Sequence, residues 1–154
     1  MYPPKSFNPI ALDYISQIVQ AHHYEEGIYL VKRKSVYTPL VDHYGIAVVG
    51  KYLKNFNPTW NKAKVIHKTN LGVGVDEFEP FLWDRVERVT EDSINHAIIR
   101  VGISMYDAYN LISDNCEHFA RFATTGKKES SQVQNAVGLG LVVSGIIWLF
   151  KNDR

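Results

Sequence analysis

The sequence predicts a single globular domain that mixes short strands with amphipathic helices, and three observations carry that reading. Its 154 residues are 45% apolar and 21% charged, a balance that buries a core without staples and argues against disorder. His43-Tyr44-Gly45-Ile46-Ala47-Val48-Val49 is a strand-forming run stopped by Gly50. Two later stretches place apolar residues at helical spacing instead: Ile94, Ala97, Ile98 and Val101 before Gly102, and Phe119, Phe122 and Ala123 before Gly126.

Taken in order, residues 1–8 read as an extended arm. Leu12, Ile15, Ile18 and Val19 then give an amphipathic helix from Ile10 to about His22, so residues 1–24 form an N-terminal arm and helix. Gly27 introduces a strand, Ile28-Tyr29-Leu30-Val31, that ends in Lys32-Arg33-Lys34. That basic run reads as a solvated turn, with a lipid-headgroup contact as the minority reading. After the His43 strand, Lys51-Tyr52-Leu53 is expected to pair back as a hairpin, and Asn55 to Asn61, with Pro58, is a loop. Lys64 to Lys68 reads as another strand, Leu71-Gly72-Val73-Gly74-Val75 as a glycine-rich turn, and Trp83 to Val89 as a strand. Thr90 is placed to cap a helix over residues 91–101.

The only cysteine lies in Asp114-Asn115-Cys116-Glu117-His118-Phe119. Asp114 followed by Glu117 predicts a capping box, and Gly126 marks the C-terminal stop. Cys116 thereby falls in the first helical turn, where the helix dipole favours a thiolate and backbone N–H groups face a developing oxyanion. The competing reading is a small buried hydrophobe, the usual fate of a lone intracellular cysteine.

Net charge is +1 with Lys and Arg spread over both halves, which speaks against nucleic-acid binding through a charge footprint. One cysteine excludes an internal disulfide and a Cys-rich zinc site. The N-terminal residues carry no apolar signal region, Tyr2 stands where myristoylation needs glycine, and Pro58 spoils the glycosylation triplet at Asn57. A cytosolic-side protein is expected. Ala136 to Phe150 has no formal charge, flanked by Lys127-Lys128 and by Lys151 and Arg154. That stretch is marginal against the roughly 20 apolar residues of a spanning helix, although Gly140 and Ser144 suit helix contact in lipid. Residues 134–154 are therefore either a membrane-associated tail or a helix docked on protein.

A cysteine nucleophile needs a base, normally histidine, and that base needs a third group to fix its tautomer. Of six histidines, His22 and His23 end the first helix, His96 lies on a polar helix side, and His118 diverges from Cys116 on its own helix. His43 and His67 remain, although taken alone His43 reads slightly more readily as a structural histidine than a catalytic one, and His67 clearly so. His43 shares a strand face with Gly45 and Ala47, which leaves room for another group to approach. Zinc-protease, serine-hydrolase, P-loop and dinucleotide motifs are missing, so no cofactor or metal is expected.

Asp42-His43-Tyr44-Gly45-Ile46 with Gly50, then Ile66-His67, Asn115-Cys116-Glu117-His118-Phe119, Thr125-Gly126 and Ser130-Ser131-Gln132-Val133 together resemble the lecithin retinol acyltransferase family. The resemblance covers about residues 25–133 and sets that stretch apart as the catalytic domain. It implies an α+β, permuted NlpC/papain-like fold, with an antiparallel sheet packed on the helix carrying the nucleophile. Carried over, Cys116 resembles the nucleophile, His43 the general base and His67 the polar residue that orients it. The implied activity is that of a thiol acyltransferase or phospholipase A in lipid metabolism. It attacks a glycerophospholipid ester, forms an acyl-thioester on Cys116 and passes the acyl group to an alcohol, an amine or water. The alternatives are a non-catalytic binding module at membranes and a papain-like cysteine peptidase or amidase.

Overall fold

The computed structural model describes residues 24–35, 41–110 and 114–140. The expected helix at 10–22 and the tail from 141 onward lie outside the described residues. Among those described, five strands form one antiparallel sheet: β1 (Gly27–Lys34), β2 (Asp42–Val49), β3 (Lys64–Thr69), β4 (Gly72–Glu77) and β5 (Asp84–Arg88). Their spatial order is β4-β3-β2-β1-β5. Helices α1 (Leu53–Phe56), α2 (Ile94–Ser104) and α3 (Cys116–Thr125) complete an α+β architecture, and residues 131–140 are also helical.

Strand alternation gives the sheet two buried faces. Tyr44, Ile46 and Val48 of β2, with Ile28, Leu30 and Ile66 of its neighbours, pack under Ala97 and Val101 of α2 and Phe119, Ala120 and Ala123 of α3. Burial of Phe119 alone contributes about 1.5–3 kcal/mol. The opposite face holds Tyr29, Val31, Ala47 and Val65 against Phe78 and Trp83. Gly45 lies on that second face in close contact: a Cβ there would stand 2.8 Å from Val65 Cγ2 and 3.3 Å from the Trp83 ring. Gly45→Ala is expected to cost about 1–3 kcal/mol through overpacking, read as a lower urea midpoint. An unchanged midpoint would contradict this packing.

Several local expectations are corrected. Lys32-Arg33-Lys34 is strand, not turn, because β1 pairs with β2 along its whole length and Asp42 draws in Lys32 at 3.0 Å and Lys34 at 2.7 Å. Residues 50–53 form no hairpin; a 3-10 turn at Gly50–Tyr52 runs into α1, burying Tyr52 and Leu53. The glycine-rich run after Leu71 is β4, paired with β3 from Thr69↔Gly72 to Lys64↔Glu77. Gly102 does not stop α2, which continues to Ser104, and Thr90 makes no side-chain cap.

Candidate active site

The start of α3 is fixed one residue later than the sequence spacing predicts. Asn115, not Asp114, is the N-cap: its Oδ1 accepts from the Glu117 amide at 2.9 Å and the His118 amide at 3.1 Å, and His118 supplies the return contact of the box. Asp114 is diverted to Lys68 of β3, whose fully buried ammonium sits 2.9 Å from Asp114 Oδ2. A buried cation needs such a partner, and this pair fastens the strand carrying His67 to the turn carrying Cys116. Gly126 ends the helix in the left-handed region at φ 80, as its position predicts.

On the far side the helix is clamped by a buried carboxylate, a role the sequence did not show. Glu117 is fully buried and accepts from Ser130 Oγ (2.6 Å), Ser131 Oγ (2.7 Å), Arg121 Nε (2.8 Å) and the Gln132 amide (3.2 Å). Burial alone would raise its pKa, but these donors outweigh it and hold Glu117 down at about 2. Gln132 then reaches β2, accepting from the Asp42 amide at 2.8 Å and donating to the Asp42 carbonyl at 3.0 Å. The Ser130–Gln132 segment thus pins both α3 and the residue preceding His43.

His43 and His67 meet on the second sheet face. The β2–β3 ladder runs from Val48↔Lys64 to Gly45↔His67 and stops there. His43 Nε2 lies 2.9 Å from His67 Nδ1, with the rings edge to face, and Trp83 packs against both. His67 Nε2 continues the chain to Asp76 Oδ2 of β4, also at 2.9 Å. Asp76 was not legible in the sequence. Arg33, opposite His43 on β1, stacks on Trp83 at 4.6 Å.

Beyond Gly45, β2 and β3 are no longer paired, and Cys116 meets the freed backbone: Tyr44, the residue after His43, hydrogen-bonds toward the sulfur, as do the backbone groups of Glu117 and Cys116 itself. These contacts favour the thiolate, yet burial outweighs them and raises the Cys116 pKa above the ordinary value. The thiolate expected from the helix start is therefore corrected. At 8% exposure, desolvation wins over these backbone contacts and the resting group is a thiol. The Tyr109 hydroxyl, itself raised by burial and then by Cys116, is a further neighbour that spacing did not reveal.

The structure brings His43 and His67 into direct contact and Cys116 to the backbone beside them. Among the described residues no hydrogen bond joins the sulfur to the His43 ring. Such contacts are often long before substrate binds. Two of the first-turn amides expected to face an oxyanion, those of Glu117 and His118, are taken by Asn115.

Burial lowers the His43 pKa from 6.5 to about 4, helped by the His67 and Arg33 charges and opposed by Asp76. The ring is neutral at pH 7 and able to accept a proton. Because the unfolded chain takes up that proton first, His43 makes stability fall as pH drops from 6.5 toward about 4. An NMR titration of the His43 ring is expected to give a midpoint near 4; a midpoint at the ordinary 6.5 would contradict its burial.

A cavity of about 220 Å³ opens beside the histidines, lined by Arg33, Val65, Leu82 and Trp83 together with Asp76, Glu77 and Glu79. It is too small to enclose a drug-sized ligand. No cluster suited to a metal ion occurs among the described residues. No family model, curated protein or solved structure matches the chain.

Proposed function

We propose that the protein is a cysteine-dependent acyltransferase or phospholipase A acting on glycerophospholipid esters. The observation that carries this reading is the contact of His43 Nε2 with His67 Nδ1 at 2.9 Å, on the strand whose next residue touches the Cys116 sulfur. A base oriented through one ring nitrogen keeps the other for the nucleophile. Cys116 Sγ attacks the ester carbonyl carbon while its proton passes to His43. The Cys116 N–H steadies the oxyanion. Collapse then breaks the ester C–O bond, and His43 returns the proton to the departing lysophospholipid oxygen. The thioester left on Cys116 is attacked by an alcohol, an amine or water while His43 takes the incoming proton; the C–S bond then breaks, the acyl product leaves and His43 returns the proton to Cys116 Sγ. His67 acts through His43 as a positioning residue.

The antiparallel sheet packed on α3 supports the permuted NlpC/papain-like arrangement that the lecithin retinol acyltransferase resemblance implies. The same reading places residues 134–154 at a membrane, from the cytoplasmic side. No helix among the described residues is long and apolar enough to cross one.

One observation favours a second reading, a non-catalytic binding module: the resting pair is a buried thiol with a raised pKa beside an imidazole with a lowered one, a poor match for proton transfer. Incubation with phosphatidylcholine vesicles of defined chains separates the two. Released fatty acid or a new acylated acceptor, absent with Cys116→Ala, is the expected result. No turnover on several phospholipids would favour the binding module, and cleavage of amide substrates alone would favour a peptidase or amidase.

A further inference from the structure

Gly72, Gly74 and Asp76 share the face of β4 that His67 meets, since His67 pairs with Gly74. The His67 ring lies over Gly74, where a Cβ would stand 3.5 Å from Nε2, an ordinary contact. The ring reaches diagonally to Asp76, two residues along, a distance that cross-strand side chains span.

From this geometry we infer that Asp76 is a positioning residue that sets the tautomers of both histidines and so aims a lone pair of His43 at Cys116. The inference rests on the proposed acyl-transfer reading and deepens it. An ionised carboxylate only accepts, so His67 Nε2 carries a proton. In the neutral ring Nδ1 is then the acceptor, and His43 Nε2 must donate to it across the 2.9 Å contact. In the neutral His43 ring this leaves Nδ1 unprotonated, the form a general base requires. Without an acceptor at position 76, His67 is free to donate from Nδ1 instead. His43 Nε2 then accepts, and the proton moves to Nδ1, where it blocks the thiol. The charged and titratable groups facing His43 are Arg33 of β1, His67 of β3 and Asp76 of β4.

The Asp76 side chain is 66% exposed, so water screens its charge and its effect comes from directing the proton. Its loss is therefore expected to cost at least about 10-fold in reaction rate, well short of the ~10⁴ seen for a buried triad aspartate. The test uses the full chain with nitrogen-15 in its histidines, read by tautomer-sensitive NMR at pH 7, alongside the rate of Cys116 alkylation by iodoacetamide. The expected result is an Nε2–H tautomer on both rings. Asp76→Leu should put the His43 proton on Nδ1 and slow alkylation about 10-fold or more, whereas Asp76→Asn, which keeps an acceptor oxygen, should retain the native tautomers. An Nδ1–H tautomer on His43 in the unaltered protein overturns the inference without any variant, as do unchanged tautomers and rates in Asp76→Leu. The NMR reading is independent of turnover. A chain that forms a thioester but carries Nδ1–H on His43 loses this inference and keeps the enzyme; one with the expected tautomers that never acylates loses the enzyme.

Discussion

Cys116→Ala and His43→Ala are each expected to lower acyl transfer by at least about 10³-fold, and the double variant to lose little more than either alone. In the proposed mechanism nucleophile and base act as one unit: without the sulfur there is nothing for His43 to deprotonate, and without His43 the thiol stays protonated because burial raises its pKa. Folding should be nearly unaffected by the cysteine change, which removes one small side chain at 8% exposure next to backbone groups. Steady-state rates on dispersed short-chain phospholipid check this without the complication of bilayer docking. Multiplicative losses in the double variant would mean that the two residues act independently, which the proposed mechanism forbids.

The largest expected loss of stability follows from Glu117→Ala. The substitution removes the common acceptor of Ser130, Ser131, Arg121 and the Gln132 amide, leaving the Ser130 hydroxyl buried without that acceptor and the guanidinium without its carboxylate. Breaking a buried charged network in this way costs about 3–5 kcal/mol, a Tm decrease on the order of 10 °C for a domain of this size. The same group sets an acid limit. Its folded pKa of about 2 lies below the unfolded value near 4.3, so its contribution is full above that pH and is lost as pH falls toward 2. Thermal melts from pH 7 to pH 2 should therefore show a steeper acid decline in the native protein than in Glu117→Ala. Parallel curves would contradict the assignment of the clamp to this carboxylate.

The parts of this fold legible in the sequence were those with local causes. His43 to Val49 reads as a strand because its apolar content and Gly50 are contiguous, and α3 reads as a helix because its stripe and Gly126 lie within three turns. The missed features depend on partners in other elements. Asp114 looks like a cap until Lys68, 46 residues earlier, takes its carboxylate. Gly72 and Gly74 look like a turn until β3, which begins eight residues before Gly72, is seen to pair with them. Asp76 joins the histidines through a diagonal across two strands, which no linear spacing displays. Cys116 itself was visible as a residue but not as a state. The helix start argues for a thiolate, and only the packing of α3 against β2 shows that desolvation prevails.

The central claim, an acyl-thioester on Cys116, is tested most directly by the intact mass of the protein after incubation with a phosphatidylcholine of defined chains. The expected result is an increase equal to one acyl group, removed by hydroxylamine and missing in Cys116→Ala. An unchanged mass, together with no fatty acid released across several phospholipids, would contradict it and leave the fold as a binding module.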